Sequence, residues 1–118
     1  MILRILLLIV VGSITYLSIS PNDTITIGND KLSHVIAYLF LMINVGLIYF
    51  PILKHFIIAT ILAFSYSILM ECIQYYVPGR YMSFYDGLAN LSGILLGTIA
   101  IIIFYHPITK MLEKTKII

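Results

Sequence analysis

Four apolar stretches, each close to twenty residues long and nearly free of charge, dominate this chain. They run from Ile2 to about Ser20, from Lys31 to Phe50, from His55 to Val77 and from about Phe84 to His106. That length matches the roughly 20 residues a helix needs to cross a hydrocarbon layer about 30 Å thick. Lipid offers no partner for unpaired backbone N–H and C=O groups, so open spanning segments must be helical. Pro51, the Pro78-Gly79 pair and Pro107 follow the last three stretches and are expected to stop those helices. Short connections make successive helices antiparallel. The expected fold is therefore all-α: a four-helix transmembrane bundle forming a single domain over residues 1–118, with no internal repeat or low-complexity tract.

Composition excludes the alternatives. Of the 118 residues, 61% are hydrophobic and 10% charged, and the mean hydropathy is +1.07. A soluble domain is about half apolar and about a quarter charged, so a core of this size has no room for the excess. A net charge of +2 with no basic stripe argues against nucleic acid as a partner. Cys72 is the only cysteine, which rules out an internal disulfide, and its place inside an apolar run reads as a small buried hydrophobe. The first stretch shares a basic residue, Arg4, and an apolar run with signal peptides. No A-x-A-like site follows, although Ser18 and Ser20 are small, so it reads as an uncleaved first helix.

Orientation follows from the basic residues. Arg4, Lys54, Lys110, Lys114 and Lys116 fall at one set of helix ends, and only Lys31 and Arg80 fall at the other. Positive-inside counting puts both termini and the Pro51–His55 turn in the cytoplasm, with the loops Pro21–Asp30 and Pro78–Tyr85 outside. Asp23, Asp30 and Asp86 also fall on the outer side.

The outer ends carry nearly all of the polar chemistry: Asp30, Lys31, His34, Glu71, Gln74, Arg80, Ser83, Asp86 and Asn90. Ionisable groups at membrane depth are costly and mark functional sites by default. At 1.5 Å rise per residue, Glu71 lies roughly 9 Å below Val77, and Asn90 is about as deep in the fourth helix. Asp30, His34 and Tyr38 share one helix face, Glu71 and Gln74 share another, and Asp86, Asn90, Gly93 and Gly97 form a third stripe. Three polar stripes predict a ligand-binding pocket between the second, third and fourth helices, open to the outer leaflet.

Structural roles compete for several of these residues. Ser83 and Asp86 have capping-box spacing, and Asp30 suits the start of the second helix. Pro78-Gly79 is ordinary turn chemistry. Gly93 and Gly97 form a small-x-x-x-small pair that permits close helix approach. Asn44 reads as an interhelical hydrogen bond, and His55, His106 and the terminal tyrosines as interfacial anchors. Glu71, His34, Arg80 and Asn90 fit such roles least. Glu71 lies too deep to cap a helix, and Arg80 on the adjoining loop is its expected partner.

Three chemistries suit such a site. His34 with Glu71 or Asp86 fits general acid–base catalysis, because imidazole titrates near neutral pH, and Arg80 would grip a phosphate or carboxylate through its planar fork. Asp30, His34, Glu71 and Asp86 are also the residues a metal would recruit. With one histidine and no tight ligand motif, zinc is poorly supported, and Mg²⁺ or Ca²⁺ bridging carboxylates and a phosphate fits better. Ser83 lacks the elbow or triad order of a nucleophile. No cofactor and no resident metal is expected.

Two ordered motifs carry a family resemblance. The first is D-K-x-x-H-x-x-x-Y, formed by Asp30, Lys31, His34 and Tyr38. The second is E-x-x-Q-x-x-x-P-G-R-x-x-S-x-x-D-x-x-x-N-x-x-G, formed by Glu71, Gln74, Pro78, Gly79, Arg80, Ser83, Asp86, Asn90 and Gly93. With the Tyr16-Leu-Ser-x-Ser-Pro21 stretch, they resemble the VanZ-like family over nearly the whole chain, as a short, single-module member. The resemblance implies a multi-pass protein of the bacterial cytoplasmic membrane, and some members of that family are associated with reduced susceptibility to teicoplanin-type glycopeptides. The expected partner is a membrane lipid or a lipid-linked or peptidoglycan-related envelope precursor with an anionic or polar group. Three functions are open: an accessory protein that binds or modifies the cell envelope without turnover, a small intramembrane enzyme acting on a lipid-linked phosphate or ester, and a transporter or transporter subunit. A chain of four spans is small for a transporter unless it forms a homo-oligomer, and an off-centre site with continuous helices counts against transport.

Overall fold

The computed structural model describes residues 1–19, 30–76 and 84–115. These residues form four helices and no strand: α1 (Ile2–Ile19), α2 (Asp30–Tyr49), α3 (Leu53–Gln74) and α4 (Phe84–Lys114). Three of them, α2, α3 and α4, are long and apolar enough to cross a membrane, whereas α1 contributes a shorter apolar stretch, Ile2–Leu17. The turn between α2 and α3 follows directly from Pro51. The ring has no N–H to continue the ladder, so the Phe50 N–H closes the last full turn onto Gly46 O at 2.9 Å. Ile52 is then extended, with φ −112° and ψ 100°, and turns the chain into α3.

Two sequence expectations are corrected. Pro107 does not stop α4, which continues to Lys114. Proline removes only the one bond to the Ile103 carbonyl, and apolar membrane helices tolerate that loss. The Thr109 hydroxyl donates to Tyr105 O at 2.9 Å and His106 O at 3.1 Å just beyond it. At 31 residues, or about 46 Å, α4 sets the 45 Å long axis of the molecule. The second correction is Cys72, which is exposed rather than buried. The stripe Ser67, Glu71 and Gln74 faces inward on α3, and Cys72, about 100° further round from Glu71, points outward.

Outward-facing side chains are largely apolar, as the 73% exposure of Leu8 and 64% of Leu62 illustrate. Such a surface has lipid as its solvent. The interior holds Tyr38, Leu41, Met42 and Val45 of α2 with Ile94 and Ile101 of α4, joined by Phe56 and Ala63 of α3 and Ile14 of α1.

The tightest pairing is between α2 and α4, and glycine is the reason. A Cβ on Gly93 would lie 2.5 Å from the Val35 carbonyl oxygen, and one on Gly97 would lie 2.5 Å from the Met42 Cβ. Gly46 of α2 returns the relation, since a Cβ there would collide with Ile101. Residues 35, 38, 42 and 46 of α2 thus step along residues 93, 97 and 101 of α4 in the same direction, so these two helices are parallel. Helix α1 runs against α2: Asn44 Nδ2 donates to Leu3 O at 3.3 Å, and Arg4 reaches the Tyr49 hydroxyl at 3.5 Å. The Asn44 bond is the interhelical one expected from the sequence.

Candidate functional site

The parallel α2–α4 pair brings one end of α2 beside the start of α4, and α3 arrives there with its last turns. Each helix contributes polar side chains to this end. From α4, Asp86 and Asn90 are buried at 7% and 2% exposure, and from α3, Ser67, Glu71 and Gln74 are buried. His34, half-buried on α2, joins them. Its Nδ1 lies 2.7 Å from Asn90 Oδ1. With the carbonyl oxygen accepting, Nδ1–H donates, and the neutral ring then presents Nε2 as an acceptor.

Tyr38, one turn below His34 on α2, is 2% exposed. Its hydroxyl has no hydrogen-bond partner among the described residues, its ring lies 6.5 Å from that of Tyr66, and both Tyr66 and Glu71 fall within its electrostatic reach. Sequence reasoning placed Tyr38 on this face without making it a site residue, and it missed Ser67. The available signal for Ser67 was its spacing of four before Glu71. Around the rim, Tyr75, Tyr76, Phe84 and Tyr85 are all exposed. Aromatic side chains in this position settle at membrane–water interfaces.

The site residues inferred from the sequence divide into two groups. His34 and Asn90 are brought into direct contact, and Glu71, Gln74 and Asp86 are buried at the same end. Asp30 and Lys31 open α2 there, but their side chains lie outside the described residues. Arg80 and Ser83 also lie outside them, together with the Glu71–Arg80 pairing, the Ser83 cap, the Pro78-Gly79 turn and the loop positions Asn22 and Tyr81. Among the described residues no three His, Cys, Asp or Glu side chains gather to hold a metal ion.

A large cavity lies elsewhere. It occupies about 530 Å³ between α1, α2 and α3 and takes in none of these polar residues. Val11 and Tyr66 both line it, and there the Tyr66 hydroxyl donates to Val11 O at 3.1 Å and also meets the Thr15 hydroxyl.

The chain matches the VanZ/LLP1 family model over residues 4–105, which takes in α1, α2, α3 and most of α4. No curated protein and no solved structure matches it.

Proposed function

Because the chain belongs to the VanZ/LLP1 family, we propose that it is a multi-pass protein of the bacterial cytoplasmic membrane whose polar end faces outward and recognises an anionic or polar group of a cell-envelope component. The observation that carries this reading is the His34–Asn90 bond between α2 and α4, set beside buried Glu71, Gln74 and Asp86. So many polar groups at the end of an apolar bundle are costly to desolvate, and a polar ligand offsets that cost. The outward orientation rests on the five-to-two bias of basic residues, and the apolar α1 is taken as a fourth span. In a Cys72→Ser background, cysteines at Asn22 and Tyr81 react with an impermeant thiol reagent added to intact spheroplasts. Labelling only from the cytoplasmic side would reverse the topology.

The ligand itself is read out by mass spectrometry of lipids co-purifying with the wild-type protein and with Glu71→Gln. A lipid-linked envelope molecule retained by the first and lost by the second supports recognition. Identical lipid profiles would defeat it. Teicoplanin susceptibility of cells with and without the protein tests the link to glycopeptides.

One observation favours a second reading, a small intramembrane enzyme acting on a lipid-linked phosphate or ester. The His34 ring is held by the 2.7 Å contact of its Nδ1 with Asn90 Oδ1, at the end where Glu71 and Asp86 are buried, and imidazole with carboxylates is a set that general acid–base catalysis uses. Turnover of the identified lipid, abolished in His34→Ala, would establish that reading. The helices run unbroken, which gives a transporter no support.

A further inference from the structure

We propose that the groove between α1 and α3 is a second site, which holds one acyl chain of an anionic glycerophospholipid. The site is independent of the polar end. Leu7 and Val11 of α1, Val45 of α2, and Ile58 and Leu62 of α3 line an almost wholly apolar cleft. Its volume of about 530 Å³ falls in the range of small-molecule sites. From His55 to Tyr66 it runs along twelve residues of α3, a rise of roughly 16 Å, about half of a hydrocarbon layer roughly 30 Å thick. That is the depth of one leaflet, so the occupant is a chain from one leaflet and not a molecule crossing both.

Charge selects the headgroup. At one end the cleft reaches the Tyr66 contact with Val11 and Thr15. Tyr49 and His55 line it towards the other end. There Arg4 packs over the Tyr49 ring at 5.7 Å, and Lys54 stands exposed beside His55. The acidic positions Asp30, Glu71 and Asp86 belong to the opposite end of the bundle, and Glu113 lies past Pro107 on the extension of α4. An apolar cleft with a basic mouth between helices is complementary to a lipid whose phosphate carries an uncompensated negative charge.

Native mass spectrometry of the detergent-purified full chain tests this, with phosphatidylglycerol and phosphatidylcholine of identical acyl chains as probes. Wild type binds phosphatidylglycerol at least about tenfold more tightly, given about fivefold for each basic side chain near the headgroup. The double variant Arg4→Gln with Lys54→Gln brings the two lipids to near parity. Leu62→Trp fills the cleft and weakens both, and Ala59→Leu replaces it should that variant not fold. Cys72→Ser, exposed near the other end of α3 and outside the cleft, leaves both affinities unchanged. Equal binding of the two lipids to wild type, a preference that survives the double variant, or undiminished binding to the filled cleft would each overturn the proposal.

Discussion

The two ends of this bundle solve opposite problems. Around Asn90 polar side chains of α2, α3 and α4 are buried together, and Gly93 and Gly97 draw α2 and α4 into close contact. Around Leu62 the helices part and leave a cleft. In water the cleft would be the anomaly, because apolar surface drives collapse. In lipid that drive is absent, since acyl chains are as apolar as leucine, and association rests on close packing and polar contacts. An apolar gap between membrane helices is filled by the solvent at little cost. A gap beside Glu71 or Asn90 is not, because the solvent cannot hydrogen-bond them. Polar side chains are buried together at one end, and the cleft towards the other is lined almost wholly by apolar ones.

Function should break this comparison most sharply. His34→Ala, Glu71→Gln, Arg80→Lys and Asp86→Asn should each abolish the cellular phenotype while membrane levels stay near wild type. Arg80→Lys keeps the charge but removes the planar fork, so its loss identifies bidentate recognition. Loss of protein with activity per molecule retained would instead make the cluster a structural network.

Stability should separate the glycines next. Gly93→Leu drives a side chain into the α2 backbone and should cost about 3 kcal/mol in reversible unfolding from mixed micelles. Gly12→Leu on α1, where a Cβ meets nothing within 4 Å, should change the same measurement by less than about 0.5 kcal/mol. Equal costs would erase the distinction between the α2–α4 seam and the exposed face of α1.

Double-mutant cycles sharpen the contrast further. His34→Ala with Asn90→Ala should show a coupling of about 1.5 kcal/mol, near the upper end for interhelical bonds in membranes, whereas Thr15→Val with Tyr66→Phe should show about 0.5 kcal/mol. Asn44→Leu should have the smallest effect. It removes the bond to Leu3 O, but also a buried Oδ1 that accepts nothing among the described residues. The two terms offset to within about 0.5 kcal/mol.

Much of this molecule was legible in its sequence. Hydropathy placed every start of α1, α2, α3 and α4 within two residues, because lipid imposes a minimum length on any apolar helix. The inward faces of α3 and α4 followed from Glu71, Gln74, Asp86, Asn90, Gly93 and Gly97, since polar and small residues are the ones lipid exposure penalises. The end of α4 did not, because one missing N–H at Pro107 is affordable in a helix already folded on both sides. Cys72 was misplaced because it was read from its apolar run alone, whereas Glu71 and Gln74 mark the inward face of α3 and put Cys72 about 100° off it. The cleft was invisible: Leu62 lining a groove and Leu69 facing the bilayer are one residue type in one kind of helix. Gly46, Thr15 and Tyr66 were overlooked although their chemistry departs from their neighbours, and a mid-span hydroxyl or glycine is the signal that would have found them.

The bonds that fasten α1 have a consequence for how this chain tolerates mutation. Asn44 and Tyr66 both donate to backbone carbonyls of α1, those of Leu3 and Val11. A carbonyl is present whatever side chain stands at its position. The bundle therefore reads much of α1 as a backbone rather than as a sequence. Saturation mutagenesis should find Leu3 and Val11 permissive towards any apolar residue that keeps the helix. Their partners Asn44 and Tyr66 carry the chemical identity of those contacts, so genetic drift has more freedom on the accepting helix than on the donating ones.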